Sequence, residues 1–180
     1  MATRRNIRIV ALGNPDRGDD GAALIVAARF QTEAPVVLAG RPGPGLLDLL
    51  PPDRDCLLLD VTSSGAPPGT LRQIPLDILS PASLPDARIS SHGFGPGEAF
   101  ALARALGRQL PHGHFIGIEG ECYEVGARLS PAVEEALPRF EEMIRAVLSR
   151  FGEAGPLEED PPPGSLPGVS GSPPFPCERP

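Results

Sequence analysis

The sequence predicts an α/β fold built on a mainly parallel β-sheet. Segments with the length and apolar character of strands alternate with segments of helical periodicity along the first 151 residues, which is the pattern of βα units. The segment Cys56–Asp60 is apolar until its last residue, as expected for a central parallel strand that is buried on both faces. In such sheets the ligand site lies at the carboxyl ends of the strands.

The first third of the chain is predicted to hold three strands and two helices. Asp19 or Asp20 is expected to cap the first helix, whose apolar face would carry Leu24, Ile25 and Ala28,. The predicted strands are Arg8–Leu12, Val36–Ala39 and Cys56–Asp60, and the predicted helices are Gly21–Phe30 and Gly43–Leu50.

Two more strands and two helices are predicted after residue 68. Strands are expected at Gly69–Ile74 and Phe115–Ile118, a helix at Glu98–Leu110, and an irregular segment at residues 75–95. The last helix should begin with Ser130 as cap and Pro131 at its first position, and Pro138 inside it should produce a kink. Its apolar stripe is Val133, Leu137, Phe140, Ile144, Val147 and Phe151.

The composition divides the chain into one domain, residues 1–151, and a tail, residues 152–180. The tail holds nine of the 24 prolines, together with glycine, serine and an acidic run. Such a segment has too few apolar side chains to form a core. We predict that the tail is disordered.

Charge and composition exclude several classes of protein. The formal net charge is −7 and the pI is near 5.0, which argues against a general nucleic-acid binder. All 16 basic residues are arginine, so no catalytic or phosphate-binding lysine is available. The three cysteines are far apart, which argues against a disulfide framework or a structural zinc site. No segment resembles a signal peptide or a membrane span, so a cytoplasmic protein is expected.

Polar residues cluster where the predicted strands end. The clusters are Gly13–Gly21, Asp60–Gly65, Ser90–Gly95 and, more weakly, Glu119–Glu121. Asp19 and Asp20 would both suit the start of a helix, where carboxylates cap free N–H groups. One carboxylate is enough for a cap. Either both acids therefore stabilise the helix start, or one of them has a separate role. Asp60 would either cap a turn or face the ligand site.

His92 is the histidine best placed for chemistry, because small residues and glycines surround it in the sequence. His112 and His114 precede a strand and are expected to be solvated. One histidine and two carboxylates from separate segments suit a divalent metal such as nickel, zinc or iron. The same set also suits the activation of water by acid and base. A serine hydrolase is disfavoured, because Ser63, Ser64 and Ser91 lie in no nucleophile-elbow motif,.

These motifs together resemble the hydrogenase maturation protease family. The segment from Ala11–Pro15 to Asp19–Gly21 is similar to the opening motif of that family. Asp60–Thr62 with Pro68–Thr70, then Ser90–His92, then Gly117–Glu119 with Leu129–Pro131 are similar to the later motifs, in the same order over residues 6–150.

The resemblance implies a three-layer fold of the phosphorylase/hydrolase type, with a twisted, mostly parallel sheet between helices. It implies an endopeptidase, aspartyl endopeptidase-like in its carboxylates, that removes the C-terminal extension of a nickel-loaded hydrogenase large-subunit precursor. By this resemblance, Asp20, Asp60 and His92 occupy the positions that contact the metal, and we expect them to be both catalytic and metal-binding residues. The resemblance also implies that the nickel belongs to the precursor, so the isolated enzyme should hold it weakly. We expect a monomer without nucleic-acid or membrane partners.

Two alternatives remain open at this stage. A nickel-checking chaperone of hydrogenase assembly would use the same three residues without cutting the precursor. A small-molecule hydrolase of similar fold would need a basic cluster, for which Arg17 and Arg41 are the available residues. The sequence also does not decide whether the metal polarises the scissile carbonyl or a carboxylate activates water.

The predicted tail leads to a test by truncation. Deletion of residues 154–180 should leave the melting temperature of the protein nearly unchanged, because the deleted segment has few apolar side chains to bury. Thermal denaturation of the full-length and truncated proteins, followed by circular dichroism, makes the comparison. A large drop would show that the tail packs on the domain.

Overall fold

The computed structural model describes residues 7–81 and 94–153, which form an α/β domain around one five-stranded sheet. The strand order is β2-β1-β3-β5-β4; β4 is antiparallel to β5 and the other pairs are parallel. The strands are β1 (Arg8–Leu12), β2 (Val36–Gly40), β3 (Cys56–Thr62), β4 (Leu71–Pro75) and β5 (Gly113–Glu119). The helices are α1 (Ala22–Ala28), α2 (Leu46–Leu49), α3 (Pro96–Ala105) and α4 (Pro131–Glu153). Short 3-10 helices span Gly18–Gly21, Gly43–Gly45 and Leu76–Ile78.

Alternation along the strands produces a core on each face of the sheet. In β3, Leu57 and Leu59 point to one face and Cys56 and Leu58 to the other, and all four are fully buried, as period-two geometry requires. Helices α1 and α4 cover the first face, and α2 and α3 cover the second. The predicted three-layer architecture with a mostly parallel sheet is therefore confirmed.

Strand register brings three carboxyl ends to the same edge of the sheet. Ala11 of β1 lies opposite Leu59 of β3, and Leu12 lies opposite Gly40, the last residue of β2. Gly13 and Arg41, which follow β1 and β2, therefore leave the sheet side by side. Asp60 of β3 comes directly after Leu59, the last β3 residue that pairs with β1, and so lies at the same edge.

The first helix packs through a different face from the predicted one. Ile25 is 40% exposed and Ala28 is also exposed, whereas Ala23, Val26 and Ala27 are fully buried. Leu24 is buried as predicted. Small side chains line the contact and let the helix approach the sheet closely, so hydrophobicity alone selected the wrong face.

The last helix has the predicted stripe. It begins at Pro131 and runs for 23 residues. Val133, Leu137, Phe140, Ile144 and Val147 are buried, and Phe151 packs against them in part. Pro138 lies within this continuous helix. Within residues 7–81 and 94–153, no helix has both the length and the apolar character that crossing a bilayer requires.

Candidate functional site

The loop between β1 and α1 brings Asp20 back to the end of β1. The backbone N–H of Asn14 donates to the carbonyl of Asp20 (3.1 Å), and the Asn14 side chain accepts from the N–H of Asp16 (3.0 Å). At Gly13, whose φ is +128°, a Cβ atom would lie 1.9 Å from the Asp20 carbonyl oxygen. Only glycine permits this approach, so the Gly-Asn-Pro motif fixes the position of the backbone of Asp20.

Asp19 is fully buried and joins three segments of the chain. Its Oδ2 accepts from the backbone N–H groups of Glu121 and Cys122 and from the Ser130 hydroxyl, each at 2.9 Å. Its Oδ1 accepts from the N–H of Ser130 (2.6 Å). A buried carboxylate requires such partners to offset its lost hydration, and here they tie the loop after β5 and the start of α4 to the site.

The expected side-chain cap of α1 is therefore wrong. Neither Asp19 nor Asp20 makes a side-chain cap to α1 or to the 3-10 helix before it. Ser130 directly precedes α4, as predicted, and its hydroxyl donates to Asp19. The carboxylate of Asp19 links distant segments, which local sequence patterns do not reveal.

Asp20 forms an ion pair with Arg41. The contact joins Oδ2 of Asp20 to Nη2 of Arg41, and the two side chains are 14% and 31% exposed. Arg41 directly follows β2, whose carboxyl end lies beside that of β1. The structure therefore places a carboxylate and a guanidinium together at the edge where the strands end.

Asp60 belongs to the same charged group. Its Oδ1 accepts from the N–H of Val61 (2.8 Å). Burial raises the pKa of Asp60 to about 7, the Val61 N–H opposes that rise, the Asp20 charge adds to it, and Arg41 lowers it. The structure thus brings Asp20, Asp60 and Arg41 together, although the sequence suggested Arg41 only as part of a basic cluster.

The strand-end loop after β3 is held by Glu119. This carboxylate is 3% exposed and accepts from the hydroxyls of Thr62 (2.8 Å) and Ser64 (2.9 Å). It also accepts from the backbone N–H groups of Ser64 (2.6 Å) and Gly65 (2.8 Å). Glu119, the first acid of the weaker predicted cluster, therefore fixes the loop that follows Asp60.

The predicted third site residue, His92, lies outside the described residues, as do Ser90 and Ser91. His112 is exposed and His114 is the second residue of β5, at the sheet edge opposite Asp60. His114 is not solvated as expected, because its ring is partly buried against Phe151 and burial lowers its pKa. Within residues 7–81 and 94–153, no three His, Cys, Asp or Glu side chains form a group able to hold a metal ion.

Other reactive or basic side chains make contacts within the protein. Cys56 is fully buried, and burial raises the pKa of its thiol to about 11, which disfavours the nucleophilic thiolate. Ser64 is bound to Glu119. Arg17 donates through Nε to the Tyr123 carbonyl (3.1 Å), and Arg41 binds Asp20. The two arginines do not form the basic cluster that the small-molecule hydrolase alternative requires.

Comparisons with known proteins agree with this fold. The model of the hydrogenase maturation protease family matches residues 23–147. The hydrogenase maturating endopeptidase HybD of E. coli has a similar structure, with a TM-score of 0.67 and 21% identity over 82% of this chain and 94% of that one. The hydrogenase 2 maturation peptidase of Thaumarchaeota archaeon SCGC_AB-539-E09 has a TM-score of 0.56 and 22% identity, over 80% of this chain and 98% of that one. The endopeptidase HycI of Escherichia coli has a TM-score of 0.56 and 19% identity, over 86% of this chain and 99% of that one. No curated protein matches the chain by sequence.

The buried contacts of Asp19 predict a large loss of stability on truncation. Asp19→Ala should lower the free energy of unfolding by about 3–5 kcal/mol, because it leaves buried donors of Glu121, Cys122 and Ser130 without an acceptor. Asp16→Ala is the matched control, since Asp16 is an exposed acid of the same loop. Urea denaturation measures both. A loss of about 1 kcal/mol for Asp19→Ala, the value typical of a helix cap, would contradict this role.

The raised pKa of Asp60 predicts a pH-dependent effect on stability. The folded state holds the proton of Asp60 up to about pH 7, whereas the unfolded state releases it near the ordinary pKa of aspartic acid, 3.8. The folded state is therefore favoured at low pH, and this contribution is lost as the pH rises towards 7. Asp60→Asn has no proton to lose, so its stability relative to the native protein should rise between pH 5 and pH 8. Urea midpoints at the two pH values test this, and an equal difference at both would contradict it.

Proposed function

Because the chain belongs to the hydrogenase maturation protease family, we propose that it removes the C-terminal extension of a hydrogenase large-subunit precursor after nickel insertion. The matched region, residues 23–147, covers most of the domain, and the chain is accordingly a peptidase. Nickel bound in the precursor would be recognised by Asp20, Asp60 and His92. The observation that supports this most is the convergence of Asp20 and Asp60 at the carboxyl edge of the sheet.

The chemistry of these side chains suits a divalent cation. Two carboxylates supply oxygen ligands, and a histidine would add the nitrogen that nickel accepts. The position of Arg41 beside Asp20 indicates that this point of the structure favours positive charge. The set offered by the enzyme is incomplete by itself, so the precursor must supply the remaining ligands of its own metal.

The role proposed for His92 rests on its place in the family motif and in the sequence. Asp60 follows Leu59 on β3 and by alternation faces the layer that holds α2 and α3. In the sequence, His92 comes four residues before Pro96, the first residue of α3 in that layer.

The protonation of Asp60 is relevant to the cleavage step. A carboxyl group with a pKa of about 7 can exchange a proton near neutral pH, as a general acid or base must. This proton exchange applies to Asp60 in the free enzyme, whereas a metal of the precursor bound to Asp60 would hold the group as a carboxylate. Peptide hydrolysis requires such a proton transfer, whichever group orients the scissile carbonyl.

Loss of either ligand should abolish precursor processing without unfolding the enzyme. His92→Ala and Asp60→Ala each remove a contact to the metal of the precursor. Both residues belong to polar clusters of the sequence, so we expect truncation to open no apolar cavity,. Asp20→Glu should retain more activity than Asp20→Ala, because glutamate still supplies an oxygen ligand. Co-expression with candidate precursors, scored by the mass of the large subunit, measures processing.

The controls use residues of the same types at other positions. His112→Ala changes an exposed histidine near the opposite edge, and Asp48→Ala changes an acid whose side chain is 76% exposed; both should process normally. Full processing by His92→Ala and Asp60→Ala would exclude these residues from the mechanism. If the native protein bound the loaded precursor without changing its mass, the chaperone alternative would replace the peptidase.

Two further features remain predictions. We expect a monomer that acts in the cytoplasm on a protein partner, without a nucleic-acid or membrane partner. Size-exclusion chromatography with light scattering and cell fractionation are the corresponding measurements.

A further inference from the structure

We propose that Arg41 is an exchangeable internal cation: it neutralises Asp20 in the free enzyme and is displaced by the metal of the bound precursor. This inference rests on the proposed function, because it concerns how the same site recognises its substrate. It assigns to Arg41 the role of a positioning residue that controls access of a metal ion to Asp20.

The end of strand β2 positions Arg41 beside Asp20. Strand β2 ends at Gly40, whose carbonyl accepts from the N–H of Gly13 (3.0 Å). The next residue, Arg41, thus leaves β2 beside the loop that presents Asp20. Pro42 and the 3-10 helix Gly43–Gly45 follow immediately, so the backbone on both sides of Arg41 is restrained, and its partly exposed side chain reaches Asp20.

Electrostatics favours a positive charge at this point. Arg41 pairs with Asp20, and Asp60 lies close enough to interact with the charges of both. When both carboxylates are ionised, they repel each other. A guanidinium beside Asp20 offsets this repulsion when no metal is present. A divalent metal bound by both carboxylates would offset it more strongly, since the Coulomb energy grows with the charge of the ion.

The ion pair has the properties of a contact that can be exchanged. Arg41 is 31% exposed, and the contact runs from Nη2 to Oδ2. A partly exposed ion pair of this kind contributes little to stability. The neighbouring carboxylate of Asp19 makes a useful contrast, since it is fully buried and accepts four hydrogen bonds from the protein. All the contacts of the Asp19 carboxylate are therefore structural, whereas the Asp20 carboxylate can still bind a competing cation.

The exchange would reduce binding of free metal ions. A metal ion that approaches the empty enzyme must displace Arg41 and gains few ligands in return. A metal held by the precursor brings its own remaining ligands and the binding energy of the polypeptide, so it displaces Arg41 at a smaller net cost. Arg41 would thus favour metal carried by the precursor over metal in solution.

Titration calorimetry of the isolated enzyme with Ni²⁺ tests the exchange directly. Arg41→Gln should bind Ni²⁺ more tightly than the native protein by roughly fivefold, the change that corresponds to about 1 kcal/mol for a partly exposed pair. Arg41→Lys keeps the charge and should remain close to the native affinity. Arg41→Ala provides a second neutral variant, and thermal denaturation verifies that each variant is folded.

The matched control is Arg29→Gln. Arg29 also forms an ion pair, with Glu141 on α4, but it follows the last residue of α1 and so lies at the other end of that helix from Asp20. This variant changes the net charge by the same amount and should leave the Ni²⁺ affinity unchanged. A gain in affinity for Arg29→Gln equal to that for Arg41→Gln would show a general charge effect and overturn the proposal.

The remaining outcomes are equally decisive. Unchanged or weaker Ni²⁺ binding by both neutral variants of Arg41 would overturn the proposal, as would an Arg41→Lys variant that binds as tightly as Arg41→Gln. Free Ni²⁺ should also inhibit precursor processing by Arg41→Gln at a lower concentration than it inhibits the native enzyme. The calorimetry does not depend on cleavage, so a protein that failed to process any precursor would refute the proposed function and still decide the role of Arg41.

Discussion

The buried carboxylate of Asp19 is the constraint on which the site depends. It accepts hydrogen bonds from Glu121, Cys122 and Ser130, and so ties the loop after β5 and the start of α4 to the loop after β1. A charged group in the protein interior is stable only when its partners replace its hydration shell. The fold supplies these partners mainly from backbone N–H groups, whose positions follow from the sheet and helix that carry them.

This arrangement separates two adjacent acids into different roles. Because Asp19 is fixed, the next residue is also fixed, and the side chain of Asp20 reaches Arg41 at the carboxyl edge of the sheet. Gly13 contributes by the absence of a Cβ atom, which lets the Asp20 carbonyl approach the end of β1. One carboxylate therefore maintains the structure, and its neighbour remains available for chemistry.

The environment of Asp60 has a similar origin. Strand β3 is central and its first four residues are apolar and buried, so the carboxyl group of the next residue, Asp60, is poorly hydrated and has a raised pKa. The loop that follows is held by Glu119 through Thr62, Ser64 and Gly65. A rigid loop beside a carboxyl group that titrates near neutrality is a favourable setting for acid–base chemistry or for binding a cation.

The sequence alone determined the order of strands and helices, the parallel central sheet and the position of Asp60, because hydrophobic periodicity and strand-end polarity are local properties. The resemblance of its motifs to a known family also selected Asp20. Only the tertiary structure decided that Asp19 is not a cap, that Ile25 and Ala28 face outwards, and that Arg41 pairs with Asp20. Each of these depends on groups far apart in the chain: Asp19 meets residues more than 100 positions away, and the pair of Arg41 with Asp20 requires β1 and β2 to end side by side. Local patterns do not contain such contacts, because the contacts arise only when the sheet is assembled.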